Sequence, residues 1–215
     1  MLRRPPFAAA LCLLLAAAPL SQLLAETMEW EDELFSLRHR WERVTTEMAP
    51  ERREAALESL AKEGANLAES HPRQSRVLVW RGIILASHAR EAGGLAALGS
   101  AKEARRLLKR AVELDPEGHN GSAWVTLGAL YDRAPGWPVA FGDAETAEEM
   151  FRRALAIRPQ GIDVNYYYAA FLEDEGRSDE AREHARRAMD GQAREARRAS
   201  DEALRGEARA LLERL

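Results

Sequence analysis

The run Trp124-Val125-Thr126-Leu127-Gly128-Ala129-Leu130-Tyr131, followed at a distance by Ala147, Phe151, Ala154 and Pro159, decides the fold. Trp124, Leu127, Gly128 and Tyr131 recur at i, i+3, i+4 and i+7, the period that gathers side chains on one face of an α-helix. Ala147, Phe151 and Ala154 repeat that spacing, so a second helix follows. Pro159 ends it, because proline has no N–H to give a helix interior. Gly128 and Ala147 are small where their neighbours are large, so the two helices approach closely at that level. The unit is a hairpin of two helices sharing one apolar face. Glu148, on the second helix, reads as exposed.

Downstream, Ile162 to Glu195 repeats the arrangement with Tyr168, Ala169, Leu172, Ala181 and Ala188. Gly176 makes the turn between its helices. Ser178 is expected to cap the second helix, with Asp179 and Glu180 placed favourably for the dipole. Asn165 and Ala185 depart from the pattern, each standing where a larger apolar residue is usual. Upstream, Leu78, Gly82 and Leu85 pair with Ala104, Leu108, Ala111 and Pro116. There Gly93 to Gly99 lengthen the turn, and Ser100 with Glu103 forms a capping box expected to restart the helix. Arg81 is out of pattern. Further upstream, Trp30–Glu47 and Glu51–Ser70 read as a degenerate helix pair broken at Pro50 and ended at Pro72. Gly191 to Leu215 interleaves arginine with glutamate at helical spacing, which predicts a solvated capping helix.

In order and residue type these units resemble the tetratricopeptide repeat. That resemblance implies an all-α solenoid of antiparallel helix pairs with a C-terminal capping helix. The repeats fall at residues 75–118, 121–161 and 162–195, the degenerate pair at 29–70 and the cap at 196–215, within one domain covering 26–215. A narrower resemblance rests on Gly93–Gly99, Ala134–Asp143 and the segment Gly161 to Tyr168 taken together. Over roughly Arg73 to Met189 the chain is similar to exported bacterial repeat proteins grouped with the TRAP transporter TatT component family. This likeness implies a periplasmic helical-repeat protein working beside a solute-binding or other envelope partner.

Composition agrees with such a class. The 215 residues are 46% hydrophobic and 31% charged, enough for a core and a soluble surface but not for a polytopic membrane protein. The net charge of −4 lacks the basic excess of a nucleic-acid binder. Arg3 and Arg4, the apolar run Phe7–Leu20 and the small residue Ala25 form the pattern of a secretory signal over residues 1–25. Cleavage after Ala25 leaves Glu26 first and no membrane span behind it. An uncleaved inner-membrane anchor is the alternative, because Pro5 to Ala25 is nearly long enough to cross a bilayer. The single cysteine, Cys12, lies inside this leader, which excludes a disulfide scaffold.

Chemistry is hard to find in the rest. The histidines, His39, His71, His88, His119 and His184, show no metal-binding spacing. Glu180 and His184 share a helix face and read as a solvated surface pair. The glycines at 93, 94 and 99 lack the lysine of a phosphate loop, and no serine sits in a GxSxG elbow. No catalytic residue, metal or cofactor is therefore expected, and the protein reads as non-enzymatic. In the insertion Ala134–Asp143, Trp137 and Phe141 either fold back on neighbouring helices or wall a ligand or peptide site, and Asp143 caps the next helix. Repeat geometry places Val79, Ile83, Val125, Ala129, Asp132, Arg133, Asp163, Tyr166, Ala170, Glu173 and Asp174 along a concave groove, with helix capping favoured for Asp163. Such a groove suits a protein or peptide segment, or a modest apolar ligand. The expected role is a periplasmic binding scaffold, an accessory partner of an envelope transport system. The alternatives are an assembly scaffold for outer-membrane or pilus machinery and an enzyme whose site is too dispersed to see.

Overall fold

Burial recurs with helical period along the chain. In α1 (Leu20–Thr46), Trp30, Leu34, Leu37, Trp41 and Val44 are buried at alternating intervals of four and three. Pro50 opens α2 (Pro50–Ser70) in its first turn, where a missing N–H costs nothing. Then come α3 (Ser75–Glu91), α4 (Gly94–Leu114), α5 (Ser122–Arg133), α6 (Ala144–Ile157), α7 (Ile162–Asp174) and α8 (Ser178–Asp190). A 3-10 turn at Glu195–Arg197 leads into α9 (Arg198–Arg214). The computed structural model describes residues 20–215, so most of the expected leader lies outside the described residues. Among the described residues there is no strand, and no helix is long and apolar enough to cross a membrane.

Helices pair in sequence as hairpins, and glycine sets the spacing within two of them. A Cβ added at Gly82 would lie 2.6 Å from the Leu108 side chain, and one at Gly128 2.7 Å from the Phe151 ring. Two expectations about helix starts are corrected. Helix α4 begins at Gly94, not at Ser100, because Leu95, Ala96, Ala97 and Leu98 are good helix formers and carry it upstream. Ser100 instead meets Nδ1 of His88 at 2.8 Å. At α8 the capping position is Arg177, and Ser178 is the first helical residue without a side-chain cap. Gly176 does make the preceding turn, at φ +72°.

The odd-numbered helices form an inner layer. Helix α1 touches α3, α3 touches α5, α5 touches α7 and α7 touches α9, while α9 returns to α1. The array thus closes on itself. At the closure, Glu42 Oε1 accepts the Ser200 N–H at 3.0 Å. The Arg197 guanidinium lies 5.1 Å over Trp41 and 5.2 Å over Trp80. Arg38 covers Trp80 as well, at 5.2 Å. The C-terminal helix is therefore not simply a solvated cap: Ser200, Asp201, Ala208 and Leu211 are buried.

Candidate functional site

Loop 134–143 leaves α5 after Arg133 and is tied at both ends. Gly142 donates its N–H to the Pro135 carbonyl at 2.9 Å, and Asp143 donates to the Tyr131 carbonyl at 2.9 Å. Val139 and Ala140 both donate to Gly136, each at 3.1 Å. Gly142 is obligatory, because a Cβ there would collide with the Ala134 carbonyl. Asp143 Oδ1 accepts the Thr146 N–H at 2.8 Å, which caps α6 as its sequence implies. The Trp137–Pro138 bond is cis.

The loop's two aromatics part company. Phe141 meets Tyr131 edge-on at 5.5 Å between centroids, and the Arg105 guanidinium lies 4.2 Å over its ring. Trp137 is 89% exposed and Val139 61% exposed. One aromatic anchors the loop and the other is presented to solvent on a hydrogen-bonded frame.

The expected concave lining is only partly accessible. Val79, Ile83, Val125 and Ala170 are core residues, because neighbouring inner helices press together and leave no open groove at their level. Asp163 is also buried. Its Oδ1 accepts the Val164 N–H at 2.9 Å, and Arg158, Arg194 and Arg197 converge on its carboxylate. Burial alone would raise its pKa; the guanidiniums of Arg194, Arg158 and Arg197 outweigh burial and hold it at about 2. The accessible remainder lies on the second half of α5 and along α7. Ala129, Asp132, Tyr166 and Glu173 are half-buried, while Arg133 and Asp174 are exposed. Burial pushes the Asp132 carboxyl up, against Arg133, and Asp174 and Glu175 add to the rise. Burial, with Tyr167 and Glu207 nearby, likewise raises the Tyr166 phenol. Glu173 is not free, since Arg214 grips both its oxygens at 2.7 Å.

Glu180 and His184 are not the solvated surface pair expected: Glu180 is held by Arg177 at 2.7 Å, and His184 is half-buried. Its Nδ1 lies 2.8 Å from Asn165 Oδ1, and its ring meets Tyr168 edge-on at 4.7 Å. Asn165 in turn donates to the Pro159 and Gly161 carbonyls at 2.8 and 2.9 Å. The residue that breaks the apolar pattern thus holds the α6–α7 turn. Among the described residues no cluster of potential metal ligands occurs.

Residues 139–200 match the family model described as Tetratricopeptide repeat. Among solved structures, TTC0263, a thermophilic TPR protein of Thermus thermophilus, is similar at TM-score 0.56 and 18% identity, over 90% of this chain and 95% of that one. The fold is a tetratricopeptide-repeat solenoid. MamA is similar at TM-score 0.48 and 17% identity, over 75% of this chain and 88% of that one. No curated protein matches the sequence. Tetratricopeptide-repeat domains bind protein partners, and the Trp137 loop with the rim beside it is an open feature of this solenoid.

Proposed function

We propose that the protein is a non-enzymatic scaffold that captures a protein partner with the Trp137 loop after export to the cell envelope. The observation that carries this reading is an indole 89% exposed on a loop whose backbone is pinned by its own hydrogen bonds. Seating about 200 Å² of indole in a partner's apolar pocket gives roughly 5 kcal/mol before association costs. A rigid loop loses little conformational freedom on binding, so more of that gain survives as affinity. Val139 extends the apolar tip, and Arg133 and Asp132 supply a polar rim.

The export half of the proposal rests on the leader pattern of Arg3, Arg4, Phe7–Leu20 and Ala25. The resemblance to TatT-like proteins supports an accessory role in an envelope transport system, with a solute-binding protein as partner. The test is site-specific photo-crosslinking from position 139 in the exported protein. A discrete adduct is expected, and Trp137→Ala should reduce it about tenfold while the thermal melt is unchanged. A well-folded Trp137→Ala that gives the same adduct yield overturns this reading.

A further inference from the structure

We propose that the groove between α2 and α4, floored by α3, binds an acidic segment of a protein partner. The groove has a volume of about 790 Å³ and is lined by Arg73, Arg81, Arg105, Arg106, Lys109 and Arg110, against two carboxylates, Glu69 and Glu113. Glu113 is committed to Arg110 at 2.9 Å, and Glu103 behind the wall grips Arg106 at 2.7 Å. Arg73 and Lys109 have neither an ion pair nor a ring contact among the described residues, and Arg105, though stacked on Phe141 at 4.2 Å, has no ion pair there. The groove is therefore a cationic island on a chain whose net charge is −4.

Arg81 makes this more than a chance of surface composition. It occupies the position just before the close-packing glycine of its helix, where α5 places Leu127, 1% exposed, and α7 places Tyr168. A guanidinium there costs desolvation that a leucine would not. Its stem passes Gly64 of α2, where an added Cβ would lie 3.7 Å from Arg81 Cγ. One Nη reaches Glu103 at 3.3 Å, while Nε is buried without an acceptor. A carboxylate entering the groove meets the part of the guanidinium that stays exposed, 17% of the side chain, and which Glu103 engages only at 3.3 Å.

The spread of charge selects the occupant. Arg105 and Lys109 are a turn apart on α4, about 6 Å of rise, and Arg73 joins the lining from the α2–α3 turn. One small anion cannot engage all three, whereas successive acidic side chains of a peptide can. A flat lipid surface does not reach a cation on the groove floor. The acidic remainder of the molecule repels an acidic partner elsewhere and steers it to this face.

The probe is fluorescein-labelled polyglutamate, followed by fluorescence anisotropy with the full chain. Arg81→Leu, which restores the residue type of α5, should weaken binding about tenfold without lowering the melting temperature. Arg186→Leu removes the same charge from an exposed position on α8 and should leave binding unchanged. Should Arg81→Leu fail to fold, Lys109→Glu, at an exposed wall position, is expected to give a comparable loss. Neither Trp137 nor Val139 lines this groove, so Trp137→Ala should bind the probe normally, and failure of the loop reading leaves this one standing. Three outcomes overturn it: wild-type affinity in a folded Arg81→Leu, equal losses in Arg81→Leu and Arg186→Leu, or Arg81-dependent binding to phosphatidylglycerol vesicles in place of the peptide.

Discussion

At Asp163 three guanidiniums meet one buried carboxylate: Arg158 in direct contact, Arg194 at 3.0 Å and Arg197 at 3.9 Å. Removing the carboxylate leaves Arg158 and Arg197 without an ion-pair partner, while Arg194 keeps Asp201, so Asp163→Asn should cost about 3–5 kcal/mol in urea denaturation at pH 7. Its folded pKa of about 2 lies below the usual value near 3.9, so the stabilisation is fully present above about pH 4. It is lost as pH falls from there towards 2, and the gap between wild type and Asp163→Asn should narrow over that window. An equal gap at pH 7 and pH 2.5 would show that the ion cluster contributes nothing through charge. Gly128 is the complementary case in the apolar core. A side chain there enters the Phe151 ring, so Gly128→Leu should cost about 1–3 kcal/mol. Exposed Lys102→Gln in mid-helix α4 is its neutral reference, and equal midpoints for the two would mean that α5 and α6 do not pack as described. Glu148 is unsuitable as that reference despite reading as exposed, because its Oε1 accepts from Tyr168, Arg152 and Arg177 at 2.7–2.8 Å.

At the scale of elements, hairpin α5–α6 was legible residue by residue. Its apolar period, Asp143 and Pro159 are local signals that act through the backbone of their own helix. Helix α4 was legible in its second half only; Gly93 and Gly94 look like loop, yet the alanines and leucines after them are already helical. The loop after α5 was recognised as special, but not which aromatic would face water. That depends on Arg105 of α4 stacking on Phe141, a contact between distant segments with no spacing signature. The burial of the C-terminal stretch is hidden in the sequence for a related reason. Arg194, Arg197 and Asp201 look like any solvated charge pattern until Asp163 and Trp80 are brought against them. Val79, Ile83, Val125, Asp163 and Ala170 of the expected lining are buried for one reason: spacing gives the face of a helix, whereas accessibility is set by how tightly the next repeat curls over it. Arg81 was visible as a break in pattern, and its meaning emerged only with α2 and α4 on either side.

For the whole molecule, the contact of α9 with α1 changes what kind of repeat array this is. Open solenoids are stabilised by neighbour-to-neighbour interfaces, and damage to one end stays near that end. Here a chain ended after Asp190 loses the Arg197 guanidinium over Trp41 and Trp80 and the Ser200 N–H held by Glu42, all three partners far upstream in sequence. Hydrogen exchange should then accelerate in α1 over residues 30–44 by at least about tenfold, as well as in adjoining α7 and α8. Protection in α1 equal to that of the full chain would mean that the closure carries no stabilisation. Glu42 and Ser200 also make the two ends of the array a clasp, and a clasped hoop cannot be peeled helix by helix from a free edge. A pulling force on such a ring is shared by every joint around it, so the array gives way only at the strength of its weakest one.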